Sequence, residues 1–147
     1  MSKFIISLIV FAASAFAANA DIVRVASPHS VDVTIDRLQA AVEKAGAKVF
    51  ARVDHANGAA SVDMELAPAT LLIFGNPKLG TPALQAAAEI GLDLPLRALA
   101  YEKDGQVWLV YHDPADTAAF HGLPADHPVI GRMQGALGKL SGAAVSE

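Results

Sequence analysis

The N-terminal segment is the feature that most limits what the rest of the chain can fold into. Lys3 precedes a continuous apolar run from Phe4 to Phe16, and Ala18-Asn19-Ala20 places small residues where a signal peptidase reads them. A helix that spans a bilayer needs about 18 or more apolar residues, and this run is shorter. We therefore expect residues 1–20 to be a signal peptide cleaved after Ala20, with an uncleaved membrane anchor as the alternative.

The rest of the chain, residues 21–147, has the usual length of one domain, and a single α+β domain is expected there. Cleavage would leave it periplasmic or secreted, with no membrane attachment. Exported proteins commonly use disulfides, yet the chain contains no cysteine. Its fold must therefore be held by packing and hydrogen bonds alone, and thiol catalysis is excluded.

The net charge of the chain limits the classes of partner that it can bind. The chain has 11 Lys and Arg against 15 Asp and Glu, a formal net charge of −4, and no run of basic residues. Binding of nucleic acid requires a clustered basic footprint, and anionic membrane surfaces attract similar clusters. We therefore expect neither nucleic acid nor a membrane surface as a partner.

Four segments carry helix signals. Apolar residues recur at helical spacing between Ile35 and Ala45, and again across residues 130–140. Thr81-Pro82 pairs a hydroxyl N-cap with proline at the first helical position, which predicts a helix from there to Ile90. Asp113-Pro114 predicts a short helix for the same reason. Strand-like segments separate the first three of these helices, and the last two follow one another.

Strand signals recur in five segments, which are residues 23–26, 48–53, 70–74, 96–102 and 106–111. The last two are separated by Lys103-Asp104-Gly105 and read as a hairpin. In the second, a period of two predicts Val49, Ala51 and Val53 on one face of the sheet. Residues 59–66 fit a strand and a helical turn equally well, so they stay unassigned.

The turns between these elements carry a family resemblance, in five motifs: Asp54-His55-Ala56, Phe74-Gly75-Asn76-Pro77-Lys78-Leu79-Gly80-Thr81-Pro82, Leu92-Asp93-Leu94-Pro95-Leu96-Arg97, Tyr111-His112-Asp113-Pro114 and His121-Gly122-Leu123. Together they resemble the family called domain of unknown function 302. The resemblance implies a two-layer fold, an antiparallel sheet with helices packed on one face in roughly β-α-β-β-β-β-α order, often dimeric. It implies no established activity or cofactor. His112 departs from the asparagine more usual in the family.

The segment from Gly75 to Thr81 is the first candidate site. A glycine-containing turn between a strand and a helix can aim backbone amides at an anion. The spacing of a nucleotide-binding phosphate loop is absent, because Thr81 follows Gly80 directly and Lys78 lies inside the turn. We predict a small anionic ligand held near Asn76, Lys78 and Thr81. The alternative is that these residues only shape a tight turn.

Three further residues complete the candidate ligand-binding set. His55 follows a strand beside Asp54, whose carboxylate could orient the imidazole. Asp93 and Tyr111 lie near predicted strand ends. An enzyme using acid-base or metal chemistry could be built on His55, Asp93, Tyr111 and Asp113.

Metal binding and nucleophilic catalysis have little support. Histidines and one aspartate are scattered without the spacing of a local zinc site, at His55, His112, Asp113, His121 and His127. No serine lies in a Gly-x-Ser-x-Gly motif. We therefore expect no metal and no cofactor.

Three hypotheses follow. The leading one is a non-catalytic module that binds a small ligand or a protein partner, and we expect it to form a homodimer. The second is the enzyme described above. The third is a purely structural subunit that pairs with another protein through a sheet edge or a helix face.

Overall fold

The computed structural model describes residues 21–147, so the expected signal peptide and its cleavage site lie outside the described residues. The strands are β1 (Ile22–Ser27), β2 (Lys48–Asp54), β3 (Ala69–Gly75), β4 (Leu96–Lys103) and β5 (Gln106–His112). The helices are α1 (Val31–Lys44), α2 (His55–Ala60), α3 (Pro77–Ala86), α4 (Pro114–Phe120) and α5 (Pro128–Val145), with a short 3-10 helix at Ala88–Leu92. The predicted α+β fold class is confirmed, with short helices inserted into the expected order of elements. Over residues 21–147, no helix is long and apolar enough to cross a membrane.

All five strands form one antiparallel sheet, in the order β1-β5-β4-β3-β2. Side chains alternate between its two faces because the strand period is two. On one face, Leu72, Phe74 and Leu109 are at most 1% exposed. This face forms the main core.

Helices α1 and α5 cover that face. The apolar side of α1 contributes Ile35, Leu38 and Val42, and α5 contributes Leu137 and Leu140 to the same cluster. Full burial of one such side chain stabilises the fold by roughly 1.5–3 kcal/mol. Packing of these two helices against the sheet therefore stabilises a fold that has no disulfides.

Two hydroxyls are buried where β1 meets α1. Ser27 Oγ lies 2.7 Å from Thr34 Oγ1, and both residues are at most 4% exposed. Thr34 Oγ1 also donates to the Ser30 carbonyl at 2.8 Å, and Ser27 Oγ accepts from His29 N–H at 3.2 Å. The pair satisfies its own hydrogen-bonding groups and fixes the start of the helix against the strand.

Strand β2 corrects one sequence prediction. The pairing with β3 is irregular between Val49 and Ala51, which is a β-bulge. Val49 pairs with Phe74 and packs against the main core, whereas Ala51 pairs with Ile73 on the opposite face. The predicted common face of Val49, Ala51 and Val53 is therefore wrong, because the extra residue at a bulge shifts the alternation.

Helix α3 corrects a second prediction. It begins at Pro77, where Asn76 Oδ1 accepts from Lys78 N–H at 3.0 Å and acts as the N-cap. Thr81-Pro82, the predicted start, lies inside the helix. The same signal, an N-cap residue followed by proline, also occurs at Asn76-Pro77. This pair comes earlier in the chain, and the helix begins there. The helix also ends before Ile90, because Ala87 is extended and a 3-10 turn follows.

The unassigned segment divides into two parts. Asp54 Oδ1 accepts from Asn57 N–H at 2.9 Å and caps α2, which ends at Ala60. Residues 61–68 then run without regular secondary structure and are exposed throughout. We call residues 61–68 the arm.

Candidate functional site

An open pocket of about 250 Å³ lies where β3 ends and α3 begins. Its walls come from four parts of the chain that are distant in sequence. The residues that line it are Phe50, Gly75, Asn76, Pro77, Leu79, Gly80, Thr81, Leu84, Leu94, Pro95, Leu96 and Met133. The lining contains no charged side chain.

Local backbone geometry forms the pocket. Phe50 lies at the β2 bulge, where its ring is 51% exposed at the pocket instead of being packed in the sheet. Lys48 Nζ lies 5.3 Å from the centre of that ring, within range of a cation–π contact. Gly75 keeps the neighbouring backbone close, because a Cβ there would lie 3.3 Å from Pro95 Cβ. Bulge and glycine together place an aromatic ring beside a concave apolar surface.

The polar groups of the lining come from the first turns of α3. Asn76 uses its side-chain oxygen to cap the helix, which leaves its amide NH₂ as a donor beside the pocket. The Thr81 hydroxyl lies one turn further along the same helix. An apolar cavity with one or two placed polar groups is typical of a small-molecule site.

A second, smaller cavity of about 30 Å³ shares the walls Leu94, Leu96 and Met133 with the pocket. Asp93 and His112 line it. It has the volume of one or a few waters, too little for an organic substrate. Of these two cavities, the pocket beside α3 is the one with room for an organic ligand.

Asp93 is held by two basic side chains. Asp93 Oδ2 lies 2.6 Å from His121 Nε2, and Asp93 Oδ1 accepts from Arg97 NH2 at 2.7 Å. The His121 side chain is only 3% exposed. The pair joins the end of α4 to the segment that leads into the pocket wall, which is a structural role for Asp93.

The structure brings together only part of the predicted ligand-binding set. Asn76 and Thr81 both line the pocket, whereas Lys78 lies on the exposed side of the first turn and is absent from the lining. His55 begins α2 beyond Asp54, at the opposite end of β3 from Gly75. A strand of seven residues separates these ends by roughly 20 Å. His55 therefore does not contribute to this pocket.

The residues of the enzyme hypothesis are also dispersed. Tyr111 packs against the main core. Asp113 Oδ1 caps α4 by accepting from Ala115 N–H at 2.8 Å, and it also accepts from Gln134 Nε2. With His55 at the far end of the sheet, the four side chains do not converge on one reaction centre. Across residues 21–147, no three metal-ligating side chains cluster in a way that could hold a metal ion.

The sequence alone does not identify most of the pocket lining. Phe50, Leu84 and Met133 belong to three different elements, and each fits an ordinary apolar pattern. Sequence reasoning identifies only the turn from Gly75 to Thr81, through its density of turn-forming residues. The exposure of Phe50 follows from the bulge in β2, which nothing in the local sequence marks.

Comparisons with known proteins identify the family of this chain and a solved structure with the same fold. Residues 23–140 match the family model described as Domain of unknown function DUF302. A crystal structure of an uncharacterized conserved DUF302 protein from Bacillus stearothermophilus superimposes with a TM-score of 0.76 at 17% identity, covering 84% of this chain and 97% of that one. This likeness shows a shared fold.

Curated relatives are longer proteins. The chain is 50% identical over 103 residues to Fluoride-specific ion channel FluC 1 of Brucella suis biovar 1 (strain 1330), a match that covers 69% of this chain and 41% of the relative. FluC 1 of Brucella abortus biovar 1 (strain 9-941) matches equally over 38% of its length. The chain thus spans about two fifths of the curated relatives that it matches. With the family model covering most of its length and the fold in agreement, this chain belongs to the family Domain of unknown function DUF302.

Proposed function

We propose that this protein is a non-catalytic, exported binding module whose pocket beside α3 takes an uncharged, largely apolar small molecule. The main support for this proposal is the pocket lining, which is apolar over most of its surface and contains no charged side chain. A periplasmic or secreted location is part of the proposal and rests on the N-terminal sequence.

Desolvation decides between a neutral and an anionic ligand. A charge moved into an apolar cavity loses hydration, and that loss must be offset by a paired charge or several hydrogen bonds. Lys78, the basic residue of the turn, is not in the lining, and neither is Lys48, whose ammonium group lies over the Phe50 ring. Asn76 and Thr81 could each form a hydrogen bond, which suits a hydroxyl, amide or carbonyl group. These contacts favour a neutral ligand over the anion expected from sequence.

Shape supports an aromatic or compact aliphatic ligand. Phe50 and Leu84 are 51% and 40% exposed at the pocket, so they present apolar surface that a ligand can cover. Burial of apolar surface contributes about 25 cal/mol per Å². A ligand ring packed between these two side chains would bury this apolar surface, and its binding would be stabilised without any charged contact.

A matched pair of fluorescent probes tests the proposal. N-phenyl-1-naphthylamine is uncharged, and 8-anilino-1-naphthalenesulfonate has the same ring system with an added sulfonate. We expect the neutral probe to bind with a blue-shifted, saturable signal, and about tenfold more tightly than the sulfonate. Tighter binding of the sulfonate would instead support the anionic ligand.

A pair of substitutions locates the signal. Thr81→Phe places a bulky side chain in the pocket, whereas Gln85→Phe adds the same side chain at an exposed position of α3 outside the lining. We expect only Thr81→Phe to abolish probe binding. Equal effects of both variants, or none of either, would contradict the pocket as the site.

A second candidate is favoured by the curated relatives. They are named as fluoride-specific ion channels, and a region half identical to this chain forms about two fifths of their length. Domains joined in one polypeptide commonly act together. We therefore propose, as the second function, that this protein assists a membrane channel of that kind, with fluoride as the small anion concerned.

Growth in fluoride tests this second function. Deletion of the gene in its host is expected to lower the fluoride concentration that inhibits growth, and a copy of the wild-type gene should restore it. A copy carrying Thr81→Phe shows whether the pocket is needed. Unchanged fluoride sensitivity of the deletion strain would contradict the association.

A further inference from the structure

The small cavity of about 30 Å³ adjoins the pocket beside α3, but its lining is different. The two spaces share Leu94, Leu96 and Met133 as walls. Beyond these walls, the lining of the small cavity includes four polar residues, which are Asp93, Arg97, His112 and Thr117. An apolar space thus lies next to a polar one, with the same three side chains between them.

Met133 is the most adaptable of the three shared walls. Leu96 is held in β4, where it pairs with Phe74, and the Leu94 N–H donates to the Ile90 carbonyl at 3.0 Å. Met133 lies on α5 and is only 4% exposed, yet its side chain is unbranched and flexible, so it fits irregular spaces and changes rotamer more easily than a leucine. Rotation of this side chain would join the two spaces.

The opposite charges that line the small cavity are paired. Asp93 Oδ1 accepts from Arg97 NH2 at 2.7 Å, and Asp93 Oδ2 lies 2.6 Å from His121 Nε2. An ionic group that entered here would be attracted by one member of the Asp93–Arg97 pair and repelled by the other, and it would also lose hydration. A neutral group that both donates and accepts hydrogen bonds suits the pair better, because it can donate to the carboxylate and accept from the guanidinium.

The volume of the small cavity limits the size of this neutral group. The cavity has room for one or a few waters, so an aromatic ring does not fit. A hydroxyl has the size of one water, and it both donates and accepts hydrogen bonds. Thr117 Oγ1, which donates to the Asp113 carbonyl at 3.3 Å, adds a further acceptor oxygen at this wall. The small cavity therefore suits a terminal hydroxyl.

The start of α3 offers a competing position for such a hydroxyl. Asn76 and Thr81 line the larger pocket, and both carry neutral polar groups. Thr81 is exposed, so water competes for its hydrogen bonds. Hydrogen bonds to ionised groups are roughly twice as strong as those between neutral groups. A ligand hydroxyl therefore gains more from Asp93 and Arg97 than from the residues of α3.

We propose that the two spaces form one binding site for an apolar alcohol. The apolar body of the ligand lies in the pocket beside α3, and its terminal hydroxyl passes Met133 to reach Asp93 and Arg97 in the small cavity. This inference rests on the proposed function, because the pocket must first bind an uncharged apolar molecule. It adds the chemical class of that molecule and the position of its polar end.

A pair of isomeric ligands tests the proposal. 1-Octanol has a terminal hydroxyl, whereas 1-methoxyheptane has the same atoms with an ether oxygen that cannot donate a hydrogen bond. Each is titrated against bound N-phenyl-1-naphthylamine, and displacement of this probe gives the dissociation constant. We expect the alcohol to bind about tenfold more tightly than the ether. If the probe binds but the two isomers bind equally, this proposal fails and the proposed function stands; if the probe does not bind, both fail.

Substitution of Arg97 locates the hydroxyl. Arg97→Met keeps a long side chain but removes its hydrogen-bond donors, so the preference for the alcohol should fall to about twofold or less while the probe still binds. Arg24→Met is the matched control, because Arg24 is exposed and lines neither space. A preference that survives Arg97→Met, or that is lost in Thr81→Ala instead, would overturn the proposal.

Substitution of Met133 tests the passage between the two spaces. Met133→Ile nearly conserves volume but replaces a flexible side chain with a β-branched one that has few rotamers in a helix. We expect it to remove the preference for the alcohol in the same way as Arg97→Met. Met64→Ile on the arm, where Met64 is 65% exposed, is the matched control and should keep the preference. An unchanged preference in Met133→Ile would contradict the passage of the hydroxyl beside this residue.

Discussion

His121 Nε2 lies 2.6 Å from Asp93 Oδ2, which ties the end of α4 to the residue that precedes the pocket wall. Asp93 is followed by Leu94, Pro95 and Leu96, and all three line the pocket. The imidazole is almost fully buried, whereas the carboxylate is one third exposed. A change that breaks the contact between His121 and Asp93 is therefore expected to alter the shape of the pocket as well.

His121→Ala is expected to lower the free energy of unfolding by about 1–3 kcal/mol, because Asp93 loses a hydrogen-bond partner and a small cavity is left. Urea denaturation measures the change. Asp126→Ala, at an exposed position, is the control and should change stability by about 0.5 kcal/mol or less. Equal stability of the two variants would contradict a structural role for His121.

Thr34→Val is expected to destabilise the protein by about 1–2 kcal/mol although it conserves volume. It removes the hydroxyl that bonds both Ser27 Oγ and the Ser30 carbonyl, inside a region that water does not reach. Thermal unfolding followed by circular dichroism gives the difference. Thr34→Ser keeps the hydroxyl and should lose less; a larger loss from serine than from valine would show that the methyl group dominates.

Asn76→Ala is expected to cost about 1 kcal/mol, because Asn76 caps α3. Thr81→Ala should change stability by about 0.5 kcal/mol or less, since this residue lies inside the helix and is exposed. Chemical denaturation of both variants decides where the helix begins. The reverse order of effects would restore Thr81 as the start.

Two glycine-to-alanine substitutions are expected to change the stability of the protein in opposite directions. At Gly75, the new methyl group would lie 3.3 Å from Pro95 Cβ and 3.7 Å from the Phe50 ring, so Gly75→Ala should destabilise by about 1 kcal/mol and weaken binding of the neutral probe. At Gly138, nothing lies within 4 Å, so alanine should stabilise α5 by about 0.5–1 kcal/mol. Loss of stability at both positions would mean that contacts at Gly75 are not the cause.

The fold was largely predictable because its elements follow simple periods. Strand β3 reads as an apolar run between Pro68 and Gly75, and α1 shows an apolar repeat with a glycine stop. The loops added the family resemblance and with it the arrangement in layers. These signals are local, so a single sequence contains them.

The remaining features depend on how distant segments meet. The bulge at Phe50 changes which side of β2 faces the core, and nothing in residues 48–53 marks it. Helix α3 has two adjacent start signals, and local sequence does not rank Asn76-Pro77 above Thr81-Pro82. The pocket itself draws on both segments and on Met133 of α5. Only tertiary packing brings these residues together.

The central claim is that the pocket beside α3 binds an uncharged apolar molecule, and a ¹⁵N NMR titration with N-phenyl-1-naphthylamine tests it most directly. Saturable shifts are expected at the amides of Gly75, Thr81 and Leu84, together with those of Leu94 and Leu96. The absence of saturable shifts, or shifts confined to amides outside the pocket lining, would contradict the claim.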